Sequence, residues 1–355
     1  MQIPALMNTY VALDSNTIQK VQLATPEPDD YEVLVQNEGC VFCNTTDKMI
    51  IKHLFATKNY PVAFGHESFG KVVRVGKKVK KYSIGDRVIC ANAIVNGFDG
   101  HYYSSWGGFS EYGIAGDLDA YLADGNILDE PNRYRRRYAS NFIIPTTLSY
   151  AKACLAFPLA ESASAIAQVG DLKGKTVVVI GTGAVGYLFT FFAKMFGAEN
   201  VICLGRRESR LEIASKFGAD KTFIDPKELT DYLQNGADIV FECSGNWRVL
   251  ENGLPYLKNG GLFAIYAVAH QPYAMNLSAV PKCFQFQRID PRVGDSLEMV
   301  CKLLQEDKIP IDLLLTHKWK FDMLPQAFEE VCNGNVIKGL VEIIPEQKLT
   351  ATKIL

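Results

Sequence analysis

Four residues near the start of the chain carry side chains that bind metals or react as nucleophiles. They are Cys40, Cys43, His66 and Glu67. A thiolate, an imidazole and a carboxylate with one open coordination position suit a catalytic zinc ion, which acts as a Lewis acid on an alcohol or carbonyl oxygen. The spacing of Cys40 and Cys43 also fits a redox pair, two packed thiols or half of a structural zinc site. The sequence has no second Cys-x-x-Cys pair, so a four-cysteine site is the least favoured interpretation.

A glycine-rich turn in the middle of the chain has the pattern of a dinucleotide-binding site. Residues 177–180 form an apolar run that is typical of a strand buried on both faces of a parallel sheet. A GxGxxG motif follows, then a predicted helix over residues 187–196 and a second strand over residues 201–204. The alternative is an ordinary strand–turn–helix connection. The predicted cofactor-contacting residues are Gly181, Gly183, Ala184, Val185 and Gly186.

Gly205, Arg206 and Arg207 follow the second strand, at the position that separates NAD(H) from NADP(H) sites. In an NAD site, an acidic residue here accepts hydrogen bonds from the ribose hydroxyls. Gly205 takes that position in this chain, and two guanidinium groups follow where a 2′-phosphate would bind. The sequence therefore predicts NADP(H) as the cofactor. The alternative is a pair of solvated arginines in a loop.

Length and composition limit the class of protein. A chain of 355 residues with 48% apolar and 21% charged residues is typical of a globular protein with two domains. A net charge of −2 gives no electrostatic reason to expect nucleic acid or a membrane surface as a partner. No apolar run has the length of a membrane span, and the first residues lack a signal-peptide pattern. Most of the nine cysteines lie in apolar segments, as reduced thiols do, so we expect a cytoplasmic protein.

The predicted elements change in character along the chain. Residues 1 to about 115 form short strands separated by turns, whereas strands and helices alternate between about 150 and 285. Such alternation predicts a parallel sheet that is covered by helices on both faces.

Residues 117–141 form a long polar insertion between these two regions. Long loops in compact domains are often functional. The insertion contains four clustered arginines that could bind a phosphate or carboxylate on the substrate, and the alternative is a solvated or subunit-facing loop. They are Arg133, Arg135, Arg136 and Arg137.

Several motifs, in order along nearly the whole chain, resemble those of the zinc-type medium-chain alcohol and polyol dehydrogenases. They are Gly65-His66-Glu67, Gly85-Asp86-Arg87-Val88, Gly107-Gly108-Phe109-Ser110-Glu111-Tyr112, Pro158-Leu159-Ala160, the glycine-rich turn, Asn259-Gly260-Gly261 and Thr316-His317. The resemblance implies an α/β fold with a GroES-like, β-rich catalytic domain and a Rossmann domain, which is a doubly wound parallel sheet. The catalytic domain would comprise residues 1–150 and 288–355, and the NADP-binding domain residues 151–287. The active site would lie in the cleft between them.

The resemblance also implies a set of metal ligands. The family pattern is Gly-x-Cys-x-Thr/Ser-Asp, and this chain has one more residue between Cys43 and Asp47. Anchoring the comparison on Asp47 makes Cys43 the implied thiolate ligand and leaves Cys40 as the alternative. The implied ligands of one catalytic zinc are Cys43, His66 and Glu67. The four-cysteine lobe of the family has no counterpart here, so a structural zinc should be missing.

Other positions complete the family pattern or depart from it. Thr46 is implied to pass the substrate proton outward, with Thr45 as the alternative, and Met49 stands about where a relay histidine often lies. Phe157 replaces the Glu or Cys that many relatives have before the proline. That leaves either a ligand set similar to that of the polyol dehydrogenases or a site that has lost its metal. Glu161 is close enough in sequence to substitute for the missing ligand.

The predicted activity is the NADP-dependent, zinc-dependent interconversion of an alcohol, polyol or sugar hydroxyl and its carbonyl by hydride transfer. The cofactor would carry the hydride while the protein positions the reactants. The alternatives are a zinc-free quinone or enone reductase of the same superfamily and a non-catalytic NADPH-binding sensor. We expect a small-molecule substrate, which the arginine cluster would suit if it is anionic, and no nucleic-acid or membrane partner. We also expect a homo-oligomer, either a dimer or a tetramer.

Overall fold

The computed structural model describes residues 2–52, 54, 59–246, 253–267, 283–344 and 346, and of residues 130–134 it describes the backbone alone. The chain divides into two compact units. Unit 1 contains Met1–Phe157 and Cys301–Leu355, and unit 2 contains Pro158–Val300. Within the described residues, no helix has both the length and the apolar character needed to cross a bilayer.

Strands and helices are numbered here in chain order. The strands are β1 (Leu6–Ala12), β2 (Ile18–Ala24), β3 (Glu32–Val41), β4 (Val62–Ala63), β5 (Glu67–Val75), β6 (Arg87–Ile89), β7 (Tyr103–Ser104), β8 (Tyr112–Gly116), β9 (Ile143–Ile144), β10 (Thr176–Ile180), β11 (Asn200–Leu204), β12 (Lys221–Phe223), β13 (Ala237–Glu242), β14 (Leu257–Ile265), β15 (Gln285–Arg288), β16 (Leu315–Lys320) and β17 (Lys338–Glu342). The α-helices are α1 (Thr46–Ile51), α2 (Leu118–Ala123), α3 (Tyr150–Ala153), α4 (Ala156–Ala167), α5 (Ala184–Met195), α6 (Glu208–Lys216), α7 (Pro226–Tyr232), α8 (Leu297–Gln305), α9 (Ile311–Leu314) and α10 (Leu324–Cys332). Short 3-10 helices occupy Glu130–Ser140, Leu254–Tyr256, Val293–Asp295 and Phe321–Met323.

Unit 2 is built on a six-stranded sheet in the order β12-β11-β10-β13-β14-β15, in which each neighbouring pair is parallel. This is the strand order of the doubly wound dinucleotide-binding fold. Val177, Val178 and Val179 of β10 are fully buried, as the apolar run predicts for a central strand. The predicted Rossmann fold is confirmed. The sequence predicts that helix α5 starts at residue 187. In the structure it begins earlier, at Ala184, directly after its N-cap residue Gly183.

Unit 1 contains a four-stranded sheet, in the order β2-β1-β4-β7, and a seven-stranded sheet. The larger sheet has the order β16-β17-β3-β5-β6-β9, and β8 also pairs with β3. Strand β17 runs antiparallel to β3 with Leu340 opposite Val41, so residues from both ends of the chain form one sheet. An aromatic core that includes Phe42, Phe109 and Trp319 packs within this unit. The β-rich, GroES-like fold predicted for this part of the chain is confirmed.

The polar insertion docks onto unit 1 through a buried tyrosine. The ring of Tyr138 lies against Gly116, where an added Cβ atom would collide with it. Its hydroxyl donates a hydrogen bond to the buried carboxylate of Glu32. Arg135 forms ion pairs with Asp29 and Glu32. Arg135 therefore holds the insertion in place, although the sequence pattern had grouped it with substrate-binding arginines.

We expect the Tyr138→Phe substitution to lower the free energy of unfolding by about 1–3 kcal/mol, because it removes the hydroxyl donor from the buried carboxylate of Glu32, which keeps the N–H of Asp29 and the ion pair with Arg135. A urea titration followed by circular dichroism measures the change. Tyr232→Phe is the matched control, since that tyrosine is 46% exposed. Equal midpoints for the two variants would show that the hydroxyl of Tyr138 does not stabilise the docked insertion.

Candidate active site

Cys43, His66 and Glu67 come together in unit 1 at the end of two paired strands. Cys43 follows β3, and His66 precedes β5, which begins at Glu67. The two strands are antiparallel with Val41 opposite Glu67, so the residues just beyond that pair must lie close together. One potential ligand atom from each residue lies within 4.8 Å of the others. His66 and Glu67 are buried and Cys43 is half-buried, so the cluster is only partly open to solvent.

Asp47 contacts two residues of this cluster, Cys43 and His66. It is buried in the first turn of α1, and its Oδ2 accepts a hydrogen bond of 2.9 Å from the backbone N–H of Cys43. Its Oδ1 lies 3.5 Å from Nδ1 of His66. The sequence analysis used Asp47 only to set the register of the family motif.

The surroundings of His66 favour a positive charge. Burial alone would lower the pKa of the imidazole, but contacts with Asp47 and Cys43 act in the opposite direction. Together they raise the pKa of His66 well above its usual value. The negative charges of Asp47 and Cys43 that favour this protonated form would also attract a metal cation, which binds the imidazole in place of the proton.

Cys40, the alternative thiolate, has a different environment. Its side chain is completely buried and its Sγ packs close to Gly108. Burial, followed by the charges of Asp47 and Glu67, raises the pKa of the Cys40 thiol well above its usual value. Because the thiolate is the metal-binding form, such a thiol is a poor ligand. Within the described part of the chain, the cluster of potential ligand atoms contains Cys43 and not Cys40.

Lys338 is the residue of this site that the sequence analysis missed. Its Nζ lies 2.6 Å and 2.5 Å from the two carboxylate oxygens of Glu67, and it also donates to the carbonyl of Phe42. Lysine is almost never fully buried unless it is paired, and both members of this pair are buried. Thr316 fixes the start of β17, since its hydroxyl donates to the carbonyl of Lys338 and accepts from the N–H of Ile337.

Two aromatic side chains enclose His66. The Trp106 ring centroid lies 5.1 Å from that of the imidazole, and the Phe157 ring packs edge-on at 6.0 Å. Phe157, which stands where the family pattern predicts a Glu or Cys, therefore presents an apolar ring to His66. Trp106 adopts a φ of 69°, a conformation that is unusual for a bulky residue and costs on the order of 1–3 kcal/mol.

Thr46 and Thr45 differ in their exposure. Thr46 begins α1 and is half-buried, whereas Thr45 precedes the helix and is exposed. Met49 is buried in the same helix, so it adds no titratable group there. Glu161 belongs to unit 2, where the hydroxyl of Tyr266 donates to its carboxylate at 3.4 Å.

The residues of the cluster fit a zinc ion. Thiolate, imidazole and carboxylate are all zinc ligands, and catalytic sites use three protein ligands and keep one position open. A carboxylate has about four lone-pair sites, so its bond to Lys338 leaves Glu67 lone pairs for a metal. Metal-bound histidines are usually oriented by a carboxylate or carbonyl on their other nitrogen, and Asp47 stands beside His66 in that way.

In unit 2, the glycine-rich turn has the geometry of a phosphate-binding loop. Gly181 follows β10 with a φ of 116°, which favours glycine, and an added Cβ would lie 3.1 Å from the carbonyl carbon of Cys243. Gly183 is the N-cap of α5, whose first residues are Ala184 and Val185. Gly186 packs directly against the carbonyl oxygen of Gly181. The N-terminus of the helix therefore presents free backbone N–H groups at the turn.

The next strand, β11, ends at Leu204, and the residue that follows it, Gly205, contacts this turn. A Cβ added to Gly205 would lie 2.6 Å and 2.7 Å from the side-chain atoms of Thr182. Any acidic residue at this position would therefore force Thr182 to move. Arg206 and Arg207 follow with exposed side chains, and Arg207 is the N-cap of α6.

Comparison with known proteins supports the family that the motifs predict. Residues 29–121 match the alcohol dehydrogenase GroES-like domain, and residues 184–288 match the zinc-binding dehydrogenase domain. The uncharacterized zinc-type alcohol dehydrogenase-like protein YdjJ of Escherichia coli K12 is 26% identical, over 92% of this chain and 96% of that protein. D-arabitol-phosphate dehydrogenase of Enterococcus avium is 27% identical, over 92% and 94% of the two chains.

A solved structure shows the same fold over the whole chain. A candidate zinc-binding dehydrogenase from Sinorhizobium meliloti 1021, crystallised with bound NADP, aligns with a TM-score of 0.75 and 23% identity. The alignment covers 96% of this chain and 100% of that one. The protein belongs to the zinc-type medium-chain dehydrogenase/reductase family. It is an oxidoreductase of the zinc-type alcohol dehydrogenase kind.

Proposed function

We propose that the protein is an NADP(H)-dependent, zinc-dependent dehydrogenase that interconverts an alcohol, polyol or sugar hydroxyl and its carbonyl. The observation that carries the proposal is the cluster of Cys43, His66 and Glu67, whose potential ligand atoms lie within 4.8 Å of one another. The relatives support the substrate class, since they include D-arabitol-phosphate dehydrogenase and D-xylulose reductase.

Each residue of unit 1 has a distinct task in this proposal. Cys43, His66 and Glu67 would hold the zinc ion, which when bound makes a coordinated hydroxyl easier to deprotonate. Asp47 keeps the imidazole of His66 oriented, and Lys338 fixes the carboxylate of Glu67. Thr46, half-buried at the start of α1, passes the substrate proton outward. NADP⁺, when bound, would supply the hydride acceptor, so that loss of a proton and a hydride from the alcohol would leave the carbonyl product.

Unit 2 sets the choice of cofactor. The N–H groups at the start of α5 bind the pyrophosphate. Arg206 and Arg207 bind the 2′-phosphate, and Gly205 leaves no carboxylate to bind the ribose hydroxyls of NAD(H).

We expect the double substitution Arg206→Ala/Arg207→Ala to lower kcat/KM for NADPH about 100-fold, with a change of less than about threefold for NADH. The physical reason is that two charge-assisted contacts reach only the 2′-phosphate of NADPH. Steady-state kinetics with both cofactors and a polyol–ketose pair measure the ratio.

Lys216→Ala is the matched control for this experiment, because it removes an exposed positive charge from the end of the same helix, α6. A wild-type preference for NADH would contradict the assignment of the cofactor. So would a double variant that keeps the wild-type preference for NADPH.

Two further sequence predictions stay predictions. One is a homo-oligomer of two or four subunits, which light scattering after size-exclusion chromatography tests. The other is a cytoplasmic location, which cell fractionation tests.

A further inference from the structure

The arginines of the polar insertion have three different surroundings. Arg135 is occupied by Asp29 and Glu32, as described above. Arg136 is exposed and donates to the carbonyl of Leu128 at 3.1 Å. Arg137 is half-buried and lies over the ring of Trp106. Arg133 lies outside the residues whose side chains the structure describes.

Trp106 connects Arg137 to the candidate metal ligands. The guanidinium carbon of Arg137 lies 5.3 Å from the Trp106 ring centroid, and the same ring lies 5.1 Å from the His66 imidazole. The guanidinium and a proposed ligand therefore contact the same indole ring. Trp106 and Arg137 are both half-buried, so each retains surface that a small molecule can contact.

The position of Arg137 is fixed on two sides. Its Nη1 donates to the Ser104 hydroxyl at 3.0 Å, and its Nη2 lies 3.3 Å from the Ser104 carbonyl. The backbone that presents Trp106 is fixed as well, since its carbonyl accepts from the N–H of Ala93 at 2.8 Å. A guanidinium that is already in place loses little side-chain entropy when an anion binds to it.

We propose that Arg137 and Trp106 form a specificity site for an anionic group on the substrate, which makes the substrate a polyol that carries a phosphate monoester or a carboxylate. This inference rests on the proposed function, because it names the substrate class of the same site. The carbon chain of the substrate would pass beside Trp106, between the reacting hydroxyl and the anion. Arg137 binds that anion with a planar, permanently charged donor group.

The test compares neutral and anionic forms of one substrate in the full-length protein with NADP⁺. D-arabitol, its phosphate monoester and the corresponding sugar acid are used, and galactitol and its phosphate serve as a second set. The readout is the ratio of kcat/KM for the anionic form to that for the neutral form. A ratio is insensitive to a general loss of activity, so a merely structural role of Arg137 would not change it.

In the wild type, kcat/KM for the anionic form should be about 100 times that for the neutral form. Arg137→Ala should reduce this ratio about 100-fold, as expected for the loss of a charge-assisted contact. Arg137→Lys should recover part of the preference because it keeps the charge but not the planar donors. Arg136→Ala, which removes the neighbouring exposed charge, should leave the ratio at its wild-type value. A preference for the phosphate or for the sugar acid identifies the anion.

A ratio near one in the wild type, or an equal ratio in wild type and Arg137→Ala, would overturn the proposal. In either case, turnover of the neutral polyols would still support the proposed function. Calorimetric titration with arabitol phosphate tests the opposite case, in which the anion site exists but the protein is not a dehydrogenase. If binding depends on Arg137 and no substrate is turned over, the anion site stands and the dehydrogenase proposal fails.

Discussion

Replacing Cys43 with serine should remove the bound zinc and lower kcat by about 1,000-fold or more. A metal ion contributes several kcal/mol to the stabilisation of charge on the reacting oxygen, and each 1.4 kcal/mol corresponds to a factor of ten in rate. Cys43 is the one thiol in the described cluster of potential ligands, so its loss leaves an imidazole and a carboxylate that is already bonded to Lys338. Elemental analysis of protein purified without chelator measures the zinc, and steady-state turnover of a polyol measures the rate.

Cys40→Ser is the matched control for this prediction. Cys40 lies in the same Cys-x-x-Cys sequence but is fully buried, and burial raises the pKa of its thiol, so it should not bind the metal. The variant should keep about one zinc per chain. Loss of zinc from Cys40→Ser but not from Cys43→Ser would reassign the thiolate ligand. Full turnover by a zinc-free preparation would refute the metal mechanism and favour a zinc-free reductase.

The fold could be predicted from the sequence because its signals are local. The apolar run of β10, the glycine turn and the alternation of strands and helices are all short-range patterns. These patterns predict a parallel sheet even though they do not show which distant residues are in contact. The sequence predicts too late a start for α5 because a glycine motif is typical of a loop, whereas Ala184 and Val185 are already helical.

The motifs predict that Cys43, His66 and Glu67 lie together, as they do in the structure, but they do not predict the residues that surround this cluster. Asp47 lies in α1 and His66 directly before β5, and nothing in the spacing of the sequence indicates that their side chains meet. Trp106 directly precedes Gly107 and Gly108, whose motif indicates the family but not the contact between Trp106 and His66. Lys338 and Glu67 are 271 residues apart, and they meet because β17 joins the sheet of β3 and β5. Such contacts follow from strand pairing, which a single sequence specifies only weakly.

Lys338→Met should lower the free energy of unfolding of chelator-treated protein by about 3–5 kcal/mol. Methionine keeps most of the volume and apolar stem of lysine, so the main change is the loss of the ammonium group. The Glu67 carboxylate is then left buried without the partner that contacts both of its oxygens. An unpaired buried charge is much more costly than a paired one, which is why breaking such a pair has a large effect. Urea titration followed by circular dichroism measures the loss.

A double-mutant cycle tests whether that loss comes from the pair itself. Glu67→Gln removes the negative charge, so Lys338→Met introduced into Glu67→Gln should cost at least about 2 kcal/mol less than it does in the wild type. Lys320→Met, at an exposed position at the end of β16, controls for the change of side chain and should alter the free energy by less than about 0.5 kcal/mol. If Lys338→Met costs the same with and without the Glu67 carboxylate, the lysine stabilises unit 1 through its packing, and its contact with Glu67 has no role in holding the site.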